Sequence, residues 1–69
     1  MFNEKELRAQ MIKKNVTVKD VCDRLGIDAS TFYRKIKSNG AFTRDEINEL
    51  IEYLDIDDPM DIFFAPELA

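Results

Sequence analysis

The chain has 69 residues, of which 45% are hydrophobic and 35% are charged. This length allows one domain with one small core, which we expect to span residues 1–69, and the composition is that of a folded chain. A single cysteine and the lack of histidine exclude an internal disulfide and a Cys/His zinc site. No signal peptide is recognisable, and no apolar run approaches the roughly 20 residues of a membrane span. We therefore expect a reduced, cytoplasmic setting.

The net charge of −4 conceals an uneven distribution of charge along the chain. All ten Lys and Arg residues lie between Lys5 and Arg44, together with five acids, so that residues 1–44 carry a net charge of +5. Residues 45–69 carry nine acids and no base. The asymmetry predicts a basic working surface and an acidic end that faces elsewhere. Two solvated faces without a partner are the alternative interpretation of the charges alone.

Capping residues predict five helices, at residues 3–14, 17–24, 28–37, 43–54 and 58–64. A capping side chain followed three positions later by an acid or a hydroxyl is typical of a helix start. Such pairs are Asn3 with Glu6, Thr17 with Asp20, Asp28 with Thr31, Thr43 with Glu46, and Asp58 with Asp61. Pro59 supports the last start, because the first helical position needs no amide proton. No strand pattern is found, so the predicted fold class is all-α, a compact bundle of about five short helices.

Apolar residues at helical spacing predict the core. Ile47, Leu50, Ile51 and Leu54 form an amphipathic stripe on the fourth helix. Further core positions are predicted at Leu7, Met11, Val21, Cys22 and Leu25, with Cys22 as a small core residue rather than a redox site. Phe63 and Phe64 are predicted to close the core over the first helix, and a dimer or partner surface is the alternative.

The second and third helices are joined by a short turn that contains Gly26, giving a candidate helix-turn-helix over residues 17–37. Glycine readily adopts the left-handed backbone that a tight corner needs. An ordinary helical corner fits the turn and its spacing equally well. The third helix favours the DNA-binding interpretation, because it predicts an apolar side with Ala29, Phe32 and Ile36 and a polar side with Ser30, Tyr33, Arg34 and Lys37.

That polar side has the chemistry of a major-groove reader, since Arg binds a guanine edge with two hydrogen bonds and Ser, Lys and Tyr reach bases or phosphates. Candidate phosphate contacts lie beyond the end of this helix and at the start of the second helix, where free amides and the helix dipole favour anions. They are Lys35, Ser38, Asn39 and Arg44 in the first group, and Thr17 with Lys19 in the second.

The segment from Thr17 to Ile36, TVKDVCDRLGIDASTFYRKI, resembles the phage repressor and Cro type of helix-turn-helix proteins, also called lambda-repressor-like or XRE-like. The flanking segments LRAQM, FTRDEI and DIFF are similar to those of a small phage-type subgroup. The resemblance implies a bundle of about five helices whose third helix reads the major groove, commonly as a dimer on a two-fold operator. It implies base contacts from Ala29, Ser30, Tyr33, Arg34 and Lys37, and phosphate contacts from Thr17, Lys19 and Asn39. Two positions depart from the family pattern: Val18 replaces a phosphate-binding Gln of many members, and Cys22 replaces the usual Ala.

The predicted function is therefore sequence-specific binding of double-stranded DNA by a transcriptional regulator, a repressor or a Cro-like protein of phage or prophage type. The alternative is an acidic protein-interaction module, such as an anti-repressor or a DNA mimic. An enzyme is not expected, because the chain has no His, no Gly-rich phosphate loop, and no nucleophile with a nearby base. We expect a possible homodimer, and no metal, cofactor, small-molecule ligand or membrane partner.

Overall fold

The computed structural model of the chain describes residues 1–64, which form five helices and no strand. The helices are α1 (Glu4–Lys13), α2 (Val18–Leu25), α3 (Ala29–Lys37), α4 (Arg44–Tyr53) and α5 (Pro59–Phe63). Each bound lies within one residue of its prediction, and the all-α fold class is confirmed for this part of the chain. The last five positions of the predicted domain, Glu67 among them, lie outside the described residues.

Local hydrogen bonds explain where the first four helices begin. Thr17 and Thr43 complete capping boxes, in which the hydroxyl accepts from the third helical amide and the carboxylate of that residue accepts from the cap amide. The side chains of Asn3 and Asp28 each accept one such bond, at 3.2 and 2.7 Å. The predicted capping box at Asp58 is wrong, because the amide of Asp61 donates instead to the backbone carbonyl of Asp58, at 3.2 Å. Helix α5 does have a proline in its first turn.

The first four helices share one way of ending, which the sequence indicated only at Gly26. Asn15, Gly26, Asn39 and Asp55 each have a positive φ, between 51° and 70°, and each follows a helix. The next amide along the chain then donates to a carbonyl five residues back, as in the bond of 2.9 Å from Val16 to Met11. This is the Schellman arrangement, which satisfies carbonyls that a helix end leaves free.

The core is a single cluster to which every helix contributes. Its centre includes four phenylalanines from distant parts of the chain, and the ring centroids are 6.0 Å apart for Phe32 and Phe42, 6.0 Å for Phe42 and Phe2, and 6.1 Å for Phe2 and Phe63. Rings at these distances gain edge and offset contacts in addition to burial. The prediction for Phe63 is confirmed, but that for Phe64 is wrong, because its side chain is 56% exposed. Helix α5 ends before Phe64, so its buried side accommodates Ile62 and Phe63 only.

Two contacts hold the start of the chain against later elements. The amide of Asn3 donates to the carbonyl of Ile62 at 2.7 Å, which joins the start of α1 to α5. The amide of Phe2 donates to the side-chain oxygen of Asn39 at 3.0 Å, next to Gly40, where a Cβ atom would collide with the Phe2 ring. The structure thus requires glycine at position 40 both for its φ of 71° and for space. Within residues 1–64, no helix has the length and apolar character that crossing a membrane requires.

Candidate nucleic-acid interface

Helices α2 and α3 meet at the tight corner that the sequence predicted. Gly26 ends α2 with a left-handed φ of 70°, and its amide donates to the carbonyl of Cys22. Val21, Cys22 and Phe32 are buried inside the corner, while Leu25 and Ile27 pack partly buried against the same core. Burial raises the pKa of the Cys22 thiol, which keeps it protonated and unreactive. The arrangement is a helix-turn-helix whose inner side is entirely apolar.

The two sides of α3 differ in burial as well as in chemistry. Phe32 and Ile36 are buried, whereas Ser30, Tyr33, Arg34 and Lys37 are exposed. The Tyr33 ring stands edge-on to Phe32, with centroids 5.7 Å apart, which fixes the direction of the tyrosine while 42% of it remains exposed. Ala29 was predicted on the apolar side but is exposed, because it occupies the first position of the helix. The outer side of α3 therefore carries all five predicted base-contact residues.

Three cations near this side have no carboxylate partner in the part of the chain that the structure describes. Arg34 and Lys37 on α3, and Arg44 at the start of α4, form no ion pair within residues 1–64. The carboxylate of Asp28 accepts the amide of Thr31 at 2.7 Å, and this bond and, to a smaller extent, the charge of Arg34 lower the pKa of Asp28. Unpaired exposed cations keep their full attraction for an external anion.

The start of α2 offers free amides and one exposed cation, Lys19. The hydroxyl and the amide of Thr17 are both engaged with Asp20, which leaves the amides of Val18 and Lys19 as donors without an intrahelical acceptor. Lys19 pairs with Asp23 at 3.0 Å, but its side chain is 83% exposed and such pairs exchange readily for other partners. Val18 packs against the core in a partly buried position, where it has no polar group to offer a phosphate.

The turn between α3 and α4 contributes polar groups from a strained backbone. Ser38 ends α3, and the following Asn39 has a φ of 59°. The Asn39 side-chain oxygen accepts the amide of Phe2, so its amino group is the end that remains for an outside acceptor. Both residues are exposed. In the chain they follow the exposed residues of α3 and precede Arg44.

Two further cations of the helix-turn-helix form ion pairs with acids of α4. Lys35 was predicted to contact phosphate, but its ammonium lies 2.9 Å from the Glu46 carboxylate, and both side chains are less than one-fifth exposed. Arg24 lies 2.8 Å from Glu49, and its guanidinium stacks 5.1 Å from the centroid of the Tyr53 ring. Helix α4 thus engages both cations, Lys35 in a largely enclosed pair and Arg24 in an exposed one.

The opposite character is found on α4 and the residues that follow it. An open groove of about 340 Å³ between α2 and α4 is lined by Arg24, Leu25, Asp45, Glu46 and Glu49. Three carboxylates against one guanidinium make this groove unsuitable for phosphate. Among residues 1–64, no group of three His, Cys, Asp or Glu side chains is placed to hold a metal ion.

Sequence reasoning found the exposed residues of α3 but missed the role of α4. Glu46 was interpreted only as a capping residue, and no contact was predicted for Glu49. Their partners lie 11 and 25 residues away, outside the three- and four-residue spacing that local helix rules detect. No feature of the sequence alone connects these pairs.

Comparison with known protein families agrees with this geometry. The sequence pattern of the Cro/C1-type HTH DNA-binding domain matches residues 6–66, which include all five helices except the first two residues of α1. No curated protein and no solved structure matches the chain. The helix-turn-helix formed by α2 and α3, its exposed cations and this match lead to one conclusion: the chain belongs to the Cro/C1-type HTH family of DNA-binding domains.

Proposed function

We propose that the protein binds specific sequences of double-stranded DNA by placing α3 in the major groove. The observation that carries the proposal is the exposed side of α3, where Arg34 and Lys37 have no ion-pair partner within residues 1–64 and share a surface with Ser30 and Tyr33. An α-helix fits the width of the major groove, and its outward side chains then reach the edges of the bases.

Each residue on this side has a defined role in the proposal. Arg34 donates two hydrogen bonds to one guanine, the commonest specific contact in the major groove. Ser30 and Lys37 donate to base edges one turn of helix to either side, and the Ala29 methyl contacts thymine methyl groups. Tyr33 reaches a base or a phosphate with its hydroxyl, from a ring that Phe32 orients.

Phosphate contacts on both sides of α3 would fix its orientation in the groove. One group is Thr17 and Lys19 with the free amides at the start of α2. The other is formed by Ser38, the amino group of Asn39, and Arg44. Phosphate contacts set the register of a protein on DNA, whereas base contacts supply its sequence preference.

We further propose that the protein is a transcriptional regulator of the repressor or Cro-like kind, from a phage or prophage, and that it binds as a homodimer. The support is the resemblance of residues 7–11, 42–47 and 61–64 to a small phage-type subgroup. A dimer would place its two copies of α3 about 34 Å apart, one turn of the double helix. Fold does not by itself determine whether binding represses or activates.

The direct experiment is selection of bound sequences from a pool of random duplex DNA, followed by affinity measurements on the selected duplex at several salt concentrations. We expect one enriched motif, and an affinity that falls with a log–log slope of about −0.9 for each phosphate neutralised. A two-fold symmetric motif supports the dimer, and a single half-site supports a monomer. Absence of binding even at low salt would overturn the proposal and favour the acidic interaction module.

A reporter gene with the selected motif inside its promoter tests regulation separately. Expression should fall when the protein is present if it acts as a repressor. A scrambled motif of the same base composition is the control, and equal expression from both promoters would contradict a regulatory role without contradicting DNA binding.

A further inference from the structure

The ion pair between Lys35 on α3 and Glu46 on α4 is the least exposed one among residues 1–64. The side chains are 18% and 14% exposed, whereas in each of the other four pairs both partners are at least 34% exposed. The Lys35 ammonium lies 2.9 Å from the Glu46 oxygen. Water screens a partly enclosed pair less than a surface pair, so its geometry is more strongly maintained.

One oxygen of Glu46 connects two elements. Its Oε1 atom accepts the Lys35 ammonium and also the amide of Thr43, at 2.8 Å, which is the N-cap of α4. Burial alone would raise the pKa of Glu46, but the Thr43 amide and Lys35 outweigh it and hold the pKa below its usual value. The carboxylate is therefore charged at neutral pH, and it binds the start of α4 to α3.

Lys35 also holds the turn between the two helices through its backbone. Its carbonyl accepts the amides of Gly40 and Ala41, at 3.0 and 3.1 Å, and its ammonium lies 3.5 Å from the Ala41 carbonyl. A single residue of α3 thus contacts the turn at both its carbonyl and its ammonium. The turn carries Ser38 and Asn39, and it leads directly to Arg44.

These contacts lie between two sets of residues that must act together on DNA. Lys35 is next to Arg34 in the chain, and Glu46 is two residues from Arg44. The base-contacting residues of α3 and the phosphate-contacting residues of the turn can bind DNA together only if the distance between them matches the distance between bases and phosphates in the duplex. A partly buried ion pair adds little net stability over an apolar pair, and fixing a register is its best-attested use.

We propose that Lys35 and Glu46 are a positioning pair, which sets the placement of α3 relative to the phosphate-contacting turn and thereby determines sequence specificity without contacting DNA. The inference rests on the proposed function, and it assigns Lys35 a role different from the phosphate contact predicted from the sequence. Loss of the pair should weaken recognition of the selected duplex more than binding to random duplex.

The test uses Lys35→Met and Glu46→Gln, which remove the charges but keep most of the side-chain volume. The amide side chain introduced by Glu46→Gln retains an oxygen for the Thr43 amide, so this variant keeps the cap of α4. It therefore tests the pair even if Lys35→Met does not fold. Lys35→Arg is the conservative variant. Lys14→Met and Glu4→Gln are the controls, because they make the same charge changes in exposed pairs at the two ends of α1.

Dissociation constants are measured on the selected duplex and on a random-sequence duplex of equal length, at several salt concentrations and at a temperature where circular dichroism shows each protein folded. We expect Lys35→Met and Glu46→Gln to lower the ratio of specific to random affinity about tenfold. A change of this size corresponds to the weakening of one base contact. The salt slope should not change. Lys35→Arg should stay within about twofold of the original ratio, as should both controls.

Three results would overturn the inference in distinguishable ways. If Lys35→Met weakens both duplexes equally and reduces the salt slope by about one, Lys35 contacts a phosphate. If the thermal midpoint falls while the affinity ratio stays constant, the pair only stabilises the fold. If the unaltered protein shows no preference for any duplex, the proposed function itself fails, and no variant is needed to show it.

Discussion

Helices α3 and α4 have nearly the same length and bury similar residues, but their exposed sides carry opposite charges. Phe32 and Ile36 of α3 and Leu50 of α4 enter the same core. Outside the core, α3 presents Arg34 and Lys37 without carboxylate partners in the described chain, whereas α4 presents acids, two of which bind cations of α2 and α3. The buried side of each helix serves the fold, and the difference in function lies in the charges.

The comparison shows that a count of cations overstates the positive charge available to DNA. Of the ten Lys and Arg residues, five form ion pairs within residues 1–64. Arg24 and Lys35 are held by α4, so the basic surface of the helix-turn-helix is smaller than its composition suggests. Affinity for DNA should therefore depend on a few outer cations.

The largest expected effect tests whether the buried sides of α3 and α4 contribute equally to stability, by truncating one buried residue on each helix. Phe32→Ala should lower the free energy of unfolding by about 3 to 5 kcal/mol and Leu50→Ala by about 2 to 5 kcal/mol, because both side chains are essentially inaccessible to solvent. Urea denaturation followed by circular dichroism measures both. Phe64→Ala is the control, with an expected change below about 0.5 kcal/mol. A small effect at Phe32 would show that α3 is not part of the core.

The exposed sides are compared by removing one cation that faces outwards and one that does not. Arg34→Ala should cost about 1 to 3 kcal/mol of binding free energy on the selected duplex and relax the preference at one base pair. Arg8→Ala removes the same charge from an exposed pair on α1 and should leave the base preference unchanged. Fluorescence anisotropy on duplexes with single base changes measures both. Equal losses would mean that Arg34 contributes charge only.

The starts of α4 and α5 differ in capping, which a third pair of variants can measure. Thr43→Ala removes a complete capping box and should cost about 1 kcal/mol of stability. Asp58→Ala should change stability by less than half of that, since the Asp58 side chain makes no capping bond. Thermal unfolding of the two variants gives the difference. A larger effect at Asp58 would mean that its carboxylate caps α5 in solution.

The smallest expected effect is a dependence of stability on pH. Backbone amides lower the pKa of Asp20 and Asp28, and the Thr43 amide and Lys35 outweigh burial at Glu46. A folded-state pKa below the unfolded value adds stability above the unfolded pKa, which is lost as pH falls through the folded value. The urea midpoint should thus decline below about pH 4. A midpoint that rises on acidification would contradict this sign.

The fold was predictable because its main signals are local. Thr17 and Thr43 define helix starts through bonds that span three residues, and apolar spacing identified Leu50 and Leu54. The ends of α1 and α4 were predicted, but the left-handed conformation of Asn15 and Asp55 was not, because packing of the next residue stabilises it and only the folded chain provides that packing. The exposure of Phe64 likewise could not be predicted from the adjacent residues, because it depends on how α5 packs in the folded chain.

The candidate interface was predictable in part. Periodicity identified the outer side of α3, since four residues at helical spacing need no tertiary information. It could not show that Lys35 pairs with α4, because its partner Glu46 lies eleven residues away. Predicting which cations are available for DNA requires the packing of α4 against the helix-turn-helix.

The hydrogen bond between Asn3 and Ile62 has a consequence for local opening of the molecule. The first residues of a domain usually fray, because few contacts restrain them. Here the amide of Asn3 donates to a residue of the last helix, while Phe2 packs against Phe63 and Phe42. Release of the first residues therefore requires separation from α5, and the Asn3 amide should exchange with solvent as slowly as an interior amide. Release of the first residues and release of α5 are thus expected to occur together, as one cooperative event.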